Sequence, residues 1–483
     1  MRSPPPSPSS SPPPSSSPYA VTIRFFAGTI ELTTSPRTAL SLLESLSLPG
    51  CLLDERTASL RAPAMFYADV VLSLTRHQQA GEVGSVVDEA RAYDTLALVP
   101  QAPPEPRDYQ REALACWRAH RSRGVVVLPT GAGKTEVALM AIAARQRATL
   151  VVAPTLDLVR QWHELLQRRF DVEVGIVGGG EHTVLPLTVT TYDSAFSHME
   201  HLGARFGLIV CDEVHHLVSE SYALAARLSL APYRLGLTAT PERSDRRDEL
   251  LAGLVGPIVF RREIDELEGR FLADYDTETI AVTLSQAERA AWTEARATYR
   301  QFLADERLSL AGPQGFSLFI KRAARSAEGR AALAAWRLQR RLAFASEQKL
   351  VVVDELLARH AGARTLIFSD DNATAYEVSR RFLVPVITHQ TKVRERTAIL
   401  RAFSDGSVPI VSTSRVLNEG VDVPDAHIAI VISGTGSTRE HVQRLGRILR
   451  PRPGKQAILY ELVAHDTGET FTSERRRDHR AYR

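Results

Sequence analysis

A glycine-rich run at residues 129–135 (PTGAGKT) stands between an apolar segment typical of a buried strand and a segment typical of a helix. Small residues let main-chain N–H groups point at phosphate oxygens, and a helix start adds partial positive charge. Lys134 would then reach the β- and γ-phosphates of a nucleotide, and the Thr135 hydroxyl would bind magnesium. The candidate nucleotide-binding residues are Thr130, Gly131, Ala132, Gly133, Lys134 and Thr135. Because Leu128 replaces the first glycine of the full pattern, a simple glycine-rich turn is the alternative.

Two adjacent carboxylates, Asp212 and Glu213, follow the apolar run at residues 208–211. In a doubly wound parallel sheet the carboxyl ends of the strands face the ligand crevice. Asp212 is therefore suited to holding hydrated magnesium, and Glu213 to orienting and deprotonating a water molecule. Taken alone, such a pair is equally compatible with a helix cap.

Three long polar side chains near the end of the chain share one helical face. Gln443, Arg447 and Arg450 are spaced i, i+4 and i+7. Such a face could reach across a cleft to a γ-phosphate, where negative charge spreads in the transition state. A basic, solvated helix face is the alternative.

Short apolar runs alternate with helical segments in two series, which predicts an α/β fold with two tandem doubly wound parallel sheets. The predicted strands of the first series are 125–129, 149–154, 187–191, 208–213 and 234–240, with helices from Lys134 and over 156–170. Those of the second series are 365–370, 385–389, 408–413, 428–433 and 457–462. Each series would form one lobe.

Composition divides the chain into five parts. Residues 1–18 contain 8 Pro and 8 Ser and predict a disordered tail, either inert or regulatory. Residues 19–100 predict a small α+β domain with a hairpin at 21–32, a short helix at 38–48, and a strand or helix at 66–74. We expect the first lobe at 101–265, a linker and helical insertion at 266–345, and the second lobe at 346–483.

Global properties indicate a protein outside membranes. Hydrophobic residues make up 44% and the net charge is +3, so a nucleic-acid partner would need local basic patches. Three dispersed cysteines, Cys51, Cys116 and Cys211, favour a reducing compartment and cannot supply a four-thiolate iron–sulfur cluster. Without an apolar run of about 20 residues or a secretion signal, we expect a cytoplasmic protein with no membrane partner.

Seven motifs between about residues 105 and 470 resemble those of superfamily-two helicases, and in detail the XPB family of DNA helicases and translocases. They are PTGAGKT, APTLDLVRQW, TTYDSA, DEVH, LTATP, STSRVLNEGVDVP and QRLGRILRP. The resemblance implies RecA-like lobes that bind ATP and magnesium at their seam. Arg447 and Arg450 would be arginine fingers, and Gln443 would position water.

The resemblance also implies roles for residues around the nucleotide. Arg107 and Gln110 would read adenine, with an ordinary helix start as the alternative. Asp422 would reach the ribose, unless it is a buried cap. Coupling between the nucleotide and the nucleic acid would involve His215, Thr238 and Thr240.

Residues expected to contact DNA are spread over both lobes and the insertion. By motif position they are Thr155, Arg160, Thr191, Ser369, Thr413, Arg243 and Asp245. Ser244 stands where the family often carries the middle acid of an Arg-Glu-Asp element, which leaves strand separation open. Residues 286–345, with 11 basic and 5 acidic side chains, resemble the family's thumb-like insertion. Its aromatic residues Phe302, Phe316, Phe319 and Trp336 would help grip a strand, with a solvated helical hairpin as the alternative.

These resemblances predict an ATP-dependent helicase or translocase running 3′ to 5′ on single-stranded, forked or duplex DNA in repair. They imply a companion nuclease, a nucleoid-associated location and, for residues 19–100, a damage-recognition domain. An RNA helicase, a restriction-type motor subunit and a catalytically silent nucleotide-binding scaffold are the alternatives.

Overall fold

A computed structural model describes residues 19–239, 248–263, 266–267, 274–310, 314–414, 426–433 and 456–470. Seven predicted site residues lie outside this description: Thr240, Arg243, Asp245, Asp422, Gln443, Arg447 and Arg450. The predicted tail at residues 1–18 also lies outside it. No helix within these ranges is long and apolar enough to cross a membrane.

The N-terminal domain is a small α+β domain with a hairpin at its start, as predicted, and apolar residues alternate along the two hairpin strands. Val21, Ile23, Ile30 and Leu32 point to one face of a mainly antiparallel sheet, where two helices cover them. Residues 66–74, for which the sequence allowed either a strand or a helix, lie almost entirely in a helix. The strands are β1 (Ala20–Phe26), β2 (Thr29–Ser35), β3 (Leu52–Asp54), β4 (Ser59–Pro63) and β5 (Ser85–Asp88), in the order β3-β4-β2-β1-β5. The helices are α1 (Leu40–Ser45) and α2 (Tyr67–Gln79), with 3-10 turns at Arg37–Ala39 and Ala64–Phe66.

The N-terminal domain packs directly on the first lobe. Ala204 and Leu230 of that lobe belong to the apolar core of the N-terminal domain. The tip of the β1–β2 hairpin is also close, because a Cβ placed on Gly28 would lie 2.6 Å from the Leu228 side chain. The N-terminal domain is thus fastened to the first lobe.

Buried apolar runs form the first lobe as a largely parallel sheet with helices on both faces. Its strand order is β13-β6-β12-β11-β7-β10-β8-β9, in which β9 alone runs antiparallel to its neighbour within the described residues. The strands are β6 (Arg123–Val127), β7 (Thr149–Ala153), β8 (Gly175–Gly178), β9 (Glu181–His182), β10 (Leu187–Thr191), β11 (Leu208–Asp212), β12 (Tyr233–Thr238) and β13 (Ile258–Arg261). The helices are α3 (Asp108–Ala119), α4 (Lys134–Arg145), α5 (Leu156–Phe170), α6 (Tyr192–Leu202), α7 (Glu220–Arg227) and α8 (Asp248–Leu254), with a 3-10 helix at Val214–Val218.

Three helices form the insertion: α9 (Gln286–Asp305), α10 (Gly315–Ala323) and α11 (Ala327–Phe344). Our expectation for its aromatic residues is only partly met. Phe302 and Phe319 are buried in the insertion's own core, where their rings lie 6.1 Å apart, so they are unavailable to a nucleic acid. Phe316 is 38% exposed, and the half-buried Trp336 packs 4.8 Å from it. Burying aromatic side chains stabilises a short helical unit that would otherwise have little core.

The second lobe is a six-stranded parallel sheet among the described residues, with the order β14-β19-β18-β15-β17-β16. Its edge strand precedes the insertion in the chain, within the segment that we predicted as linker and insertion. The strands are β14 (Asp274–Val282), β15 (Thr365–Phe368), β16 (Val386–Ile387), β17 (Ile410–Thr413), β18 (Ile428–Val431) and β19 (Gln456–Ala464). The helices are α12 (Glu347–Arg359), α13 (Asn372–Phe382) and α14 (Val393–Asp405).

The insertion is fastened to the second lobe at both of its ends. The Arg289 guanidinium near the start of α9 donates to the carbonyls of His465 and Asp466, at 2.8 and 3.1 Å. Arg340 near the end of α11 forms an ion pair with the buried carboxylate of Asp370, which follows β15. These two contacts make the insertion an extension of the second lobe.

Candidate nucleotide site and nucleic-acid track

The glycine-rich run forms a loop between β6 and α4, as its sequence context predicts. Gly131 and Gly133 have φ angles of 86° and 80°, a region that side chains disfavour, so glycine is needed at both positions. The Thr130 hydroxyl is buried without a hydrogen-bond partner. The Lys134 ammonium donates to the Leu128 carbonyl at 3.3 Å. A buried orphan hydroxyl and a weakly held lysine leave the loop ready to accept phosphate oxygens.

Helix α3 braces this loop from outside. The Tyr109 hydroxyl donates to the Ala132 carbonyl at 2.6 Å, and the Gln110 amide donates to the same oxygen at 3.2 Å. The Gln110 side-chain oxygen accepts from the Arg107 main-chain N–H at 2.9 Å, and the Arg107 carbonyl accepts from the Gln110 main-chain N–H at 3.0 Å. Arg107 and Gln110 therefore do form a helix start, which is the alternative to adenine reading for these two residues. Adenine reading by Arg107 and Gln110 stays a prediction.

The paired carboxylates lie at the end of β11, on the same edge of the sheet as the loop. Asp212 is 9% exposed and accepts from the Trp162 indole N–H at 2.9 Å and from the Glu213 main-chain N–H at 3.0 Å. Burial raises the pKa of Asp212, although the Trp162 bond and the positive charge of Lys134 oppose the shift. Glu213 has a left-handed φ of 46°, which is costly outside glycine.

The residues present fit a nucleotide with magnesium. Thr130 has an unused hydroxyl, Lys134 supplies a cation, and Asp212 supplies a carboxylate within electrostatic reach of that cation. The described residues contain no group of three or more His, Cys, Asp or Glu side chains that could cage a metal. Magnesium is commonly held by one or two protein oxygens together with substrate phosphates, and the Asp212 carboxylate is one such oxygen donor.

Thr238 connects the carboxylate strand to the phosphate loop. The His215 Nδ1 atom lies 3.2 Å from the Thr238 hydroxyl in a buried hydrogen bond. The Thr238 carbonyl accepts from the Leu128 N–H, at the start of the loop, at 3.0 Å. The described part of the predicted coupling set is therefore physically continuous with the nucleotide site.

Two predicted contacts for a nucleic acid in the first lobe are helix N-caps. The Thr155 hydroxyl accepts from the Leu158 N–H at the start of α5, and the Thr191 hydroxyl from the Ser194 N–H at the start of α6. Arg160, one turn into α5, is exposed. Helix N-termini carry partial positive charge and free N–H groups, which suits them to phosphate.

The two predicted contacts in the second lobe differ from this arrangement. Ser369 is 1% exposed and its hydroxyl donates to the carbonyls of Asp371 and Thr413. The Thr413 hydroxyl is completely buried and donates to the carbonyls of Ile387 and Ser414, both at 3.0 Å. In this conformation neither hydroxyl is accessible to a nucleic acid.

One ion pair joins helices of the two lobes. Asp157 in the first turn of α5 pairs with Arg396 of α14. Both side chains are largely buried, with 19% and 13% of their area exposed. The same guanidinium donates to the Thr391 carbonyl at 3.3 Å. Asp157 lies two residues after the predicted contact Thr155, so the pair ties the second lobe to the edge of the first lobe where we predict nucleic-acid contacts.

Sequence reasoning overlooked the side chains that hold the site in place. Trp162 and Tyr109 read as apolar positions of amphipathic helices, and nothing in their spacing indicates a bond to Asp212 or to the phosphate loop. A tryptophan or tyrosine N–H or O–H usually finds a partner when it is buried, which is the one available signal.

Comparison with known proteins identifies three family regions. Residues 23–81 match the Xeroderma pigmentosum group B helicase damage recognition domain, 103–243 the type III restriction enzyme res subunit, and 333–480 the ERCC3/RAD25/XPB C-terminal helicase. Among solved structures, the Hef helicase domain of Pyrococcus furiosus is similar, with a TM-score of 0.53 at 20% identity over 77% of this chain and 98% of that one. This likeness supports two RecA-like lobes.

Curated relatives are similar over most of the chain. The DNA 3'-5' translocase XPB2 of Sulfurisphaera tokodaii is 44% identical over 77% of this chain and 85% of that protein. The DNA 3'-5' helicase XPB of Kineococcus radiotolerans is 33% identical over 77% of this chain, and that of Mycobacterium tuberculosis 32% identical over 75%. The matches span 62% and 61% of those two longer bacterial proteins. Because of these relatives and the two XPB family regions, the chain belongs to the XPB family of superfamily-two DNA helicases and translocases.

Proposed function

We propose that the chain is an ATP-driven DNA helicase or translocase that moves 3′ to 5′ and acts in DNA repair. The observation that carries the proposal is the meeting of Lys134, the orphan Thr130 hydroxyl and the buried Asp212 at one edge of the first sheet. The archaeal and bacterial relatives named as 3'-5' translocase and helicase support both the direction and DNA as the substrate.

The chemistry is hydrolysis of the γ-phosphate by water. Lys134 would leave the Leu128 carbonyl and bind phosphate oxygens, while the loop N–H groups hold the β-phosphate. Glu213 would orient the attacking water and accept its proton. Thr135 and Asp212 would hold magnesium, which neutralises charge on the phosphates when bound.

Closure of the lobes would complete the site. Gln443, Arg447 and Arg450 belong to the second lobe's last motif, so their approach to the γ-phosphate depends on how the lobes meet. The Asp157–Arg396 ion pair is one contact that favours closure. Hydrolysis would then be tied to alternate gripping and release of a strand.

The strand would run past the N-termini of α5 and α6 at Thr155, Arg160 and Thr191. Ser369 and Thr413 would contribute only after local rearrangement, because both hydroxyls are buried. Arg243 and Asp245, next to Ser244, would act where strands separate, and the insertion would add basic side chains around Phe316. A companion nuclease and a nucleoid-associated location belong to the same proposal.

Steady-state ATP turnover with forked DNA, single-stranded RNA or no nucleic acid tests the proposal. We expect DNA to stimulate turnover and RNA to have little effect. Glu213→Gln should lower the stimulated kcat by about 10² to 10⁴ while nucleotide binding is retained, because only proton transfer is lost. Stimulation by RNA alone would indicate an RNA helicase. Unchanged turnover in Glu213→Gln would refute the assigned chemistry.

A further inference from the structure

Tyr192 joins the first turn of α6 to the carboxylate strand. It is the first residue of α6, follows the N-cap Thr191 and is 1% exposed. Its hydroxyl donates to the main-chain carbonyl of Asp212 at 2.8 Å.

The accepting carbonyl belongs to the peptide that leads into Glu213. Glu213 has a φ of 46°, a left-handed conformation that is unfavourable for a non-glycine residue. Such a conformation persists only when its surroundings hold it. The Tyr192 hydroxyl holds the carbonyl of this peptide, and the Asp212 carboxylate accepts from its N–H at 3.0 Å. Tyr192 therefore helps fix the direction in which Glu213 leaves the strand.

The Tyr192 ring lies in a row of aromatic contacts. The ring centroids of Tyr192 and His216 are 5.7 Å apart, and those of Tyr192 and Tyr222 are 5.5 Å apart. The Tyr222 hydroxyl donates at 2.7 Å to the carboxylate of Asp193, the second residue of α6. A shift of the first turn of α6 would thus act on the carboxylate strand through packed rings, which deform little.

The N-terminus of α6 also carries groups suited to phosphate. The Thr191 hydroxyl accepts from the Ser194 N–H at 3.1 Å and donates to the Ser194 hydroxyl at 3.0 Å. A phosphate bound at this N-terminus would compete for those donors and displace the turn. Tyr192 directly follows Thr191 in the chain, so displacement of this turn would move Tyr192 as well.

We infer that Tyr192 is a positioning residue that transmits nucleic-acid binding at the start of α6 to the catalytic carboxylate of Glu213. The inference rests on the proposed function and deepens it by naming a route from the DNA to the water-activating group. It adds a connection separate from the His215–Thr238 contact.

Tyr192→Phe tests the inference because it removes the hydroxyl and keeps the ring. We expect the kcat at saturating forked DNA to fall about threefold to tenfold, the effect of losing one hydrogen bond from the activated state. The KM for ATP should change by less than about twofold, because the phosphate loop is untouched. The ratio of stimulated to unstimulated turnover should fall with kcat.

Tyr460→Phe is the matched control. Tyr460 is 3% exposed, its hydroxyl is bonded at 2.8 Å to His360, and it lies on β19 of the second lobe. We expect wild-type turnover with and without DNA. Tyr222→Phe keeps the row of rings but removes the hydroxyl bond to Asp193, so it should lower stimulation less than Tyr192→Phe.

Equal losses of turnover with and without DNA in Tyr192→Phe would overturn the inference, because a purely structural role predicts that result. So would wild-type stimulation in Tyr192→Phe when the wild-type protein itself is stimulated. If Tyr192→Phe does not fold, Tyr222→Phe decides: reduced stimulation supports the route and wild-type stimulation overturns it. A wild-type protein that DNA does not stimulate would refute the proposed function and the inference together.

Discussion

A lysine of the first lobe and a lysine of the second lobe are held in opposite ways. In the first lobe, Lys134 is half-buried and donates to one carbonyl at 3.3 Å. In the second lobe, Lys349 is completely buried and donates to the Glu469 carboxylate at 2.6 Å and to the Ile432 carbonyl at 2.7 Å. A long single bond is readily exchanged for a phosphate, whereas a buried ion pair is part of the fold. Residue type alone does not separate the two roles.

The hydroxyl groups repeat this contrast. Thr155 and Thr191 cap helices at the edge of the first lobe, while Ser369 and Thr413 are buried among main-chain carbonyls of the second. Thr155 is half-buried and already arranged at the edge of the first lobe, whereas Thr191 is only 7% exposed. The second lobe must rearrange, or use other groups, to bind the same strand.

The largest expected effect separates the two lysines. Lys349→Met should lower the free energy of unfolding by about 3–5 kcal/mol, because Glu469 would be left buried without its partner. Lys134→Met should leave stability nearly unchanged and abolish ATP hydrolysis. Urea unfolding and ATP turnover measure the two outcomes.

The double variant Lys349→Met with Glu469→Leu provides the control. Removing both charges should restore most of the stability, since the unpaired charge is the cause of the loss. If Lys134→Met proves as destabilising as Lys349→Met, the contrast between the lobes is wrong.

Replacing Asp212 should increase the free energy of unfolding, by less than the loss expected for Lys349→Met. Burial raises its pKa, so its contribution to stability is complete below the ordinary carboxyl pKa and is lost as pH rises through the raised value. Asp212→Asn should therefore raise the free energy of unfolding at neutral pH by about 0.5–2 kcal/mol, with the gain vanishing in acid. It should also abolish magnesium-dependent turnover.

Asp370→Asn is the matched change in the second lobe. That carboxylate is buried too, but it has Arg340 as a partner, so its loss should destabilise the protein. Melting temperatures measured for both variants at several pH values compare Asp212, which has no ion-pair partner among the contacts described above, with Asp370, which is paired with Arg340. A lower melting temperature for Asp212→Asn at neutral pH would contradict the prediction.

The smallest effects are expected for the hydroxyl groups. Thr155→Ala removes a helix cap, and Ser369→Ala removes a buried donor, so each should cost about 1 kcal/mol of stability. Only Thr155→Ala should weaken DNA binding, by about fivefold or less at fixed salt. Fluorescence anisotropy with labelled DNA measures this, and equal weakening by Ser369→Ala would show that the second lobe opens to bind.

Much of the first lobe follows from the sequence because its strands are buried on both faces. The run at Leu187–Thr191 and the helix at Leu156–Phe170 have the predicted bounds. Continuous apolar runs and a fifteen-residue amphipathic helix leave little ambiguity. The phosphate loop was predictable for a similar reason, since its glycines are required by the backbone.

The edge strand β14 could not be predicted in the same way. Its sequence, DYDTETIAV, is mostly polar, and its partner β19 lies far along the chain. An edge strand needs no continuous apolar run, and its pairing depends on the finished sheet. The contacts of Trp162 and Tyr192 with Asp212 are equally invisible, because they are set by how helices settle on the sheet.

The attachments of the two appended units have a mechanical consequence. The N-terminal domain rests on the first lobe through Leu230 and Gly28, whereas the helical insertion is bound to the second through Arg289 and Arg340. If one lobe rotates against the other during turnover, each unit moves with the lobe to which it is attached, so the distance between the two units should change. With one fluorescent label on each unit, movement of the lobes would appear as a change in energy transfer between the labels.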